Sequence, residues 1–271
     1  MTTALIRPAA VAGIFYSDDP ATLTRNIDQM LASVRTCPSS VDVGSTAPIA
    51  LIVPHAGYIY SGPIAASAYA QLAPWRDQIA RVVAIGPPHR VAVRGIALSS
   101  ASGFATPLGT IGIDTAANAV LASHRSVYVD DMAHAPEHSL EVHLPFLQRV
   151  LGDRWQLVPI LVGGVPTTVV ADTLAELWGA PGTVVIVSTD LSHYHDNDTA
   201  RRLDQVTASM IVSRAWEAIK ADGACGAGAV RAALELCRRG GQRVELLDLR
   251  NSGDTAGPSD RVVGYGSFAV R

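Results

Sequence analysis

Three histidines in this chain each follow a short apolar run. Ile49 to Val53 precedes Pro54-His55, Val82 to Ile85 precedes Gly86-Pro87-Pro88-His89, and Val184 to Val187 precedes Ser188-Thr189-Asp190-Leu191-Ser192-His193. Imidazole is the commonest metal ligand and the usual acid or base near neutral pH. In an open α/β sheet, the loops at the carboxyl ends of the strands line the ligand crevice. If the three runs are neighbouring parallel strands, three imidazoles far apart in sequence converge on one pocket. Asp190 lies one turn before His193, close enough to hold that imidazole in one tautomer and raise its basicity. His195, followed by Asp196-Asn197-Asp198, reads as exposed.

Two further segments carry reactive types. Glu137-His138-Ser139-Leu140-Glu141-Val142-His143 follows Pro136 and reads as the start of a helix over 137–151. Glu137 and Glu141 then share one helix face, and His138 belongs to a second histidine layer around the pocket. The order is not H-E-x-x-H, so zinc-protease chemistry has no support. Cys225 stands among small residues just before the amphipathic stretch Val230 to Cys237; it is either a thiol whose pKa a helix N-terminus lowers or, the reading favoured from these residues alone, a buried, inert thiol in a small-residue turn. Cys237 is spaced as core, Cys37 heads a linker, and His124 and His134 read as surface residues.

The elements that must position these groups follow from periodicity. Ala21 to Val34 has helical spacing after the start signal Asp18-Asp19-Pro20, and Pro38 to Pro48 reads as a loop. Helical stretches at 62–72, 115–123, 137–151 and 167–178 alternate with short β-branched runs, the pattern of βαβ units. Arg243 to Leu249 and Val262 to Val270 read as an antiparallel pair. The fold class expected is α/β, one domain over 1–271 with a central mixed, mostly parallel sheet between helices.

Composition narrows the function classes. The chain has 271 residues, 48% of them hydrophobic, enough for a sizeable core. A net charge of −3 argues against a nucleic-acid binder. There is no apolar run of membrane-spanning length and no signal-peptide pattern. Three scattered cysteines without C-x-x-C suggest reduced thiols, hence a cytoplasmic protein.

Over nearly its whole length the chain resembles the Memo family, also called AmmeMemoRadiSam system protein B. The resemblance rests on Ala10 to Tyr16 (AVAGIFY), Pro54 to Tyr58 (PHAGY), Gly86 to His89 (GPPH), Thr106-Pro107-Leu108-Gly109, Glu137 to Pro145 (EHSLEVHLP), Val158 to Gly163 (VPILVG), Ser188 to His193 (STDLSH) and Val263 to Val270 (VGYGSFAV). It implies a fold similar to the class III extradiol dioxygenases, in which two histidines and a glutamate bind non-haem Fe(II) and another histidine is acid and base. Carried over, His55 and His89 match the metal histidines and Cys225 matches the third ligand position. His193, with Asp190 beside it, matches the further active-site histidine, and His138 lines the pocket. A thiolate in place of the carboxylate softens the site and admits copper or zinc as well as iron.

Two function classes follow. One is a metal-dependent, dioxygenase-like redox enzyme acting on a small or peptide-borne substrate, with His193 moving a proton. The other is a peptide- or phosphopeptide-binding adaptor that keeps the pocket without turnover. The resemblance also implies association with a radical-SAM protein and an AmmeMemoRadiSam partner protein.

Overall fold

The computed structural model describes residues 5–34 and 46–271. Cys37 and most of the expected linker lie outside the described residues. The strands are β1 (Ile6–Arg7), β2 (Ala50–Val53), β3 (Arg81–Gly86), β4 (Ile96–Leu98), β5 (Gly103–Thr106), β6 (Gly109–Gly112), β7 (Val127–Val129), β8 (Gln156–Val162), β9 (Thr183–Ser188), β10 (His193–His195), β11 (Val244–Asn251) and β12 (Val262–Val270). The helices are α1 (Pro20–Ala32), α2 (Tyr58–Tyr69), α3 (Thr115–Leu121), α4 (Asp131–His134), α5 (Leu144–Leu151), α6 (Thr167–Ala175), α7 (Asn197–Val212) and α8 (Ala227–Gly240).

Nine strands form one mixed sheet in the order β10-β12-β2-β9-β3-β8-β4-β7, with β11 also on β12. Its centre, β2-β9-β3-β8, is parallel throughout. β12 joins that centre antiparallel to β2, and β11 pairs antiparallel with β12 as expected. β1, β5 and β6 make a separate small sheet.

The central strands are apolar at nearly every position because both faces are covered. Period-two alternation then sorts the side chains. Leu51, Val53, Val82, Ala84, Val184 and Ile186 join the core under α1, α2 and α5. Ala50, Ile52, Val83, Ile85, Val185 and Val187 join the core under α6, α7 and α8. A one-residue slip in any of these strands would exchange its two sets.

Three local expectations are corrected. The helix expected over 137–151 begins only at Leu144, after a 3-10 turn at Glu141–His143. Pro145, not Pro136, occupies its first turn, where a missing N–H costs nothing. Glu137 and Glu141 therefore do not share a helix face. α7 was not expected at all; its start is marked by Asp196, whose carboxylate accepts from the Thr199 N–H as an N-cap.

Candidate metal centre

β2, β3 and β9 run parallel in register, so the segments that follow them leave the same edge of the sheet. The rings of His55 and His89 are 5.1 Å apart between centroids, in an edge-to-face arrangement. His138 completes the group, 4.7 Å from His89 and 5.6 Å from His55. One ring nitrogen from each of His55, His89 and His138 lies within 4.8 Å of the other two. Two nitrogens on one ion at 2.0–2.1 Å can stand at most about 4.2 Å apart, so small side-chain rotations suffice to bring all three onto one ion. The third imidazole of this cluster comes from the turn before α5, not from the loop after β9. His193 lines the same cavity, of about 490 Å³, but stands outside the cluster.

Ser188, fully buried at the end of β9, sets the state of His55. Its hydroxyl donates to the Ser139 carbonyl at 2.6 Å. A hydroxyl has one proton, so its remaining contacts must be to donors. These are His55 Nδ1 at 2.6 Å and His143 Nε2 at 2.8 Å. His55 is therefore the Nδ1–H tautomer, with the Nε2 lone pair free. His143 is the Nε2–H tautomer, and its Nδ1 accepts from the Tyr69 hydroxyl at 2.7 Å. Burial, reinforced by the neighbouring imidazoles His89 and His138, pushes the His55 pKa well below the ordinary imidazole value. Burial likewise takes His143 to about 3. Both are neutral, as a metal ligand and its support must be.

Glu137 does the same for His89. Its carboxylate accepts from His89 Nδ1 at 3.0 Å, from the His89 backbone N–H, and from the His138 and Ser139 N–H groups at 2.9 Å each. Burial acts to raise its pKa, but the hydrogen bonds from His89 and Ser139 outweigh burial and bring it to about 2. The carboxylate thus stays ionised, fixes His89 as the Nδ1–H tautomer and leaves Nε2 as a donor atom. His138 is taken to about 4, chiefly by burial. Its Nδ1 is buried 3.2 Å from Glu137 Oε1, though not in hydrogen-bonding geometry. Three neutral imidazoles with ring nitrogens this close are a donor set that fits a transition metal.

Cys225 reaches the same place. Its Sγ is 3.4 Å from His55 Nε2 and accepts from the Asp190 N–H at 3.1 Å. Of the two readings, the lowered pKa is overturned and the buried thiol agrees: burial, then the Asp190 carboxylate, pushes Cys225 up to about 12. Without a cation it is a thiol. Cys237, on α8, is buried in the core and does not line the histidine cavity. Close packing explains the adjacent Gly226. A Cβ there would fall 2.2 Å from the Ser188 carbonyl oxygen, so only glycine brings the start of α8 against the end of β9.

Asp190 is also reassigned. Its carboxylate accepts from the His55 N–H at 2.8 Å and approaches His55 Nε2 at 4.0 Å. No hydrogen bond joins it to His193. Burial lifts its pKa to about 7, against the His55 hydrogen bond. The His193 pKa is lowered by burial, with the Leu191 carbonyl and the Asp204 charge opposing. Asp204 in turn accepts from the Ser192 N–H at 2.9 Å.

A second buried carboxylate holds the pocket wall. Glu141, with no exposed surface, binds Arg7, the Ala10 N–H at 2.7 Å, the Val11 N–H at 3.0 Å and the Tyr16 hydroxyl at 2.5 Å. This pins residues 10–16 against the turn before α5 and sets Phe15 4.8 Å from the His138 ring. His134, expected on the surface, is buried at 2% exposure; its Nε2–H donates to the Ala97 carbonyl at 3.0 Å.

A histidine-lined candidate metal pocket at the carboxyl edge of a mixed α/β sheet is the class of site these observations define. The chain belongs to the Memo family: residues 7–269 match the family described as Memo-like protein. Curated relatives agree over nearly full length. A MEMO1 family protein of Ignicoccus hospitalis is 38% identical, covering 96% of this chain and 97% of the relative. Another, from Methanothermobacter thermautotrophicus, is 37% identical over 96% of this chain and 99% of its own length. A third, from Thermotoga maritima, is 34% identical over 96% and 97%.

Proposed function

We propose that this protein is a metal-dependent redox enzyme, dioxygenase-like, with non-haem Fe(II) held by His55, His89 and Cys225. The observation that carries the reading is the pair of backed imidazoles. Ser188 and Glu137 each take an Nδ1–H, which leaves Nε2 lone pairs free on two rings whose centroids are 5.1 Å apart. The thiol supports a third ligand there. With metal–sulfur and metal–nitrogen bonds of about 2.3 and 2.1 Å, two ligands at a tetrahedral angle stand about 3.6 Å apart, close to the 3.4 Å between Cys225 Sγ and His55 Nε2. A bound cation would lower the thiol pKa and remove its proton. When bound, Fe(II) with open positions supplies one-electron chemistry. The chain's own residues orient a substrate, and His193, on the cavity wall, moves a proton. Likeness to the extradiol dioxygenases and association with a radical-SAM protein and its partner belong to this proposal too.

A second ligand set is favoured by one observation, the nearness of the His138 nitrogen to those of His55 and His89. Anaerobic titration with Co(II) separates the two. The proposed set gives a thiolate-to-metal absorption band that Cys225→Ser removes together with most of the affinity, whereas His138→Ala keeps the band. Loss of binding in His138→Ala with an unchanged Cys225→Ser variant assigns the three-histidine set instead. Absence of metal binding in the wild type favours a non-catalytic adaptor.

A further inference from the structure

The mouth of the cavity carries a cation that metal binding does not use. Arg261 lines the pocket, and no carboxylate pairs with it among the described residues. Its guanidinium lies 4.6 Å over the Tyr194 ring. Tyr194 directly follows His193 and has a φ of 63°, a left-handed conformation that strains a residue bearing a side chain. Strain of this kind persists where surrounding structure enforces it and gathers at ligand clamps. Here it places an otherwise exposed ring where it stacks the guanidinium. Stacking holds an arginine by its face and leaves the N–H donors along its edge, the geometry that binds a carboxylate through two parallel hydrogen bonds.

The rest of the wall says what else the ligand carries. Phe15, Tyr60, Tyr194, Pro258, Val263 and Tyr265 give the cavity an apolar lining. Its volume of about 490 Å³ is that of a small-molecule site. No lysine and no second arginine lines it, and the Asp190 carboxyl does. In the metal-free pocket a single guanidinium matches a monoanion, and a dianion would leave charge unpaired near Asp190.

We propose that Arg261, clamped by Tyr194, binds the carboxylate of a small substrate whose apolar or aromatic body lies on Phe15 and Tyr265 and points toward the histidine cluster. This names the substrate class for the site proposed above and rests on that reading for where the substrate reacts, but not for the anion contact. The test is calorimetric titration of the full chain, metal-free and Zn(II)-loaded, with 3-phenylpropanoate, its neutral amide 3-phenylpropanamide, and phenyl phosphate. The carboxylate is expected to bind about 10–100-fold more tightly than the amide, as loss of a charge-assisted pair predicts. Arg261→Gln should erase that difference, Arg261→Lys should keep part of it, and Zn(II) affinity should be the same in all three proteins. In the metal-free protein, equal affinity for acid and amide, a preference surviving Arg261→Gln, tighter binding of phenyl phosphate, or no binding of any probe at millimolar concentration overturns the proposal. The metal-free titration keeps the two readings apart. Failure of Zn(II) to bind wild type removes the metal reading, while the acid-over-amide preference still decides the anion site.

Discussion

Ser188→Ala is the substitution whose consequences follow most directly from this geometry. The change removes one oxygen: His55 Nδ1–H loses its partner, while His143 Nε2–H and the Ser139 carbonyl lose one partner each but still face one another. A buried group stranded in this way costs about 1–3 kcal/mol, so a loss of that size is expected from a total of about 5–15. The local effect is more specific. His55 loses the acceptor that fixes its tautomer, and removing such a support costs about 10–100-fold in metal affinity. Equilibrium urea unfolding measures the first quantity and anaerobic Co(II) titration the second. Tyr69→Phe grades the series. It removes only the hydroxyl on His143 Nδ1, one step further out, so about 1 kcal/mol of stability and less than threefold in metal affinity are expected. A Ser188→Ala protein within 0.5 kcal/mol of wild type and within about twofold in metal affinity would refute the tautomer argument, since both estimates exceed those margins.

Three other expectations bear on the framework. His134 is held neutral at about 4, chiefly by burial, against 6.5 when free. The unfolded chain therefore binds the extra proton first: this contribution is whole above pH 6.5 and is lost as pH falls toward 4, about 3 kcal/mol at 1.36 kcal/mol per pH unit. Unfolding curves of wild type and His134→Gln across that window should differ in slope, the variant being flatter. Glu141→Gln breaks the buried contact with Arg7 and should cost about 3–5 kcal/mol in urea unfolding; a change under 1 kcal/mol would mean that Glu141 does not pin the 10–16 segment. Gly226→Ala must push α8 away from the Ser188 carbonyl. Overpacking of this kind costs about 1–3 kcal/mol, and Cys225 should lose its place beside His55, read as a weaker thiolate band with Co(II).

The residues that present lone pairs could be read from the sequence because their chemistry lies in their type. His55 and His89 stand directly after apolar runs, and period-two burial on both faces turned those runs into the parallel centre of the sheet. The groups that decide how these residues are presented could not be read in the same way. Ser188 meets His55 across 133 residues and Ser139 across 49, and Glu141 meets Arg7 across 134. No local pattern encodes those meetings. A spacing of four made Glu137 and Glu141 look like one helix face, yet each is a buried acceptor serving a different segment. His134 carried no signal because a buried neutral imidazole needs only one carbonyl, here that of Ala97. α7 was missed because its surface is largely polar and its apolar stripe narrow, with Ala200, Ala208 and Ile211 among its few buried apolar residues.

This division has a physical origin. A ligand atom must be open to the ion, so it sits on a loop at the strand ends, where sequence context marks it. The groups that fix a tautomer must be dry to act, because a hydroxyl or carboxylate shared with water holds no imidazole in one state. They are therefore drawn from the turns and strand ends that the core closes over, and burial erases the polar pattern that would have announced them. Ser188 shows the consequence at one atom. By type and position it is the last residue of an apolar strand, and only its three partners reveal that it sets which nitrogen His55 offers the pocket.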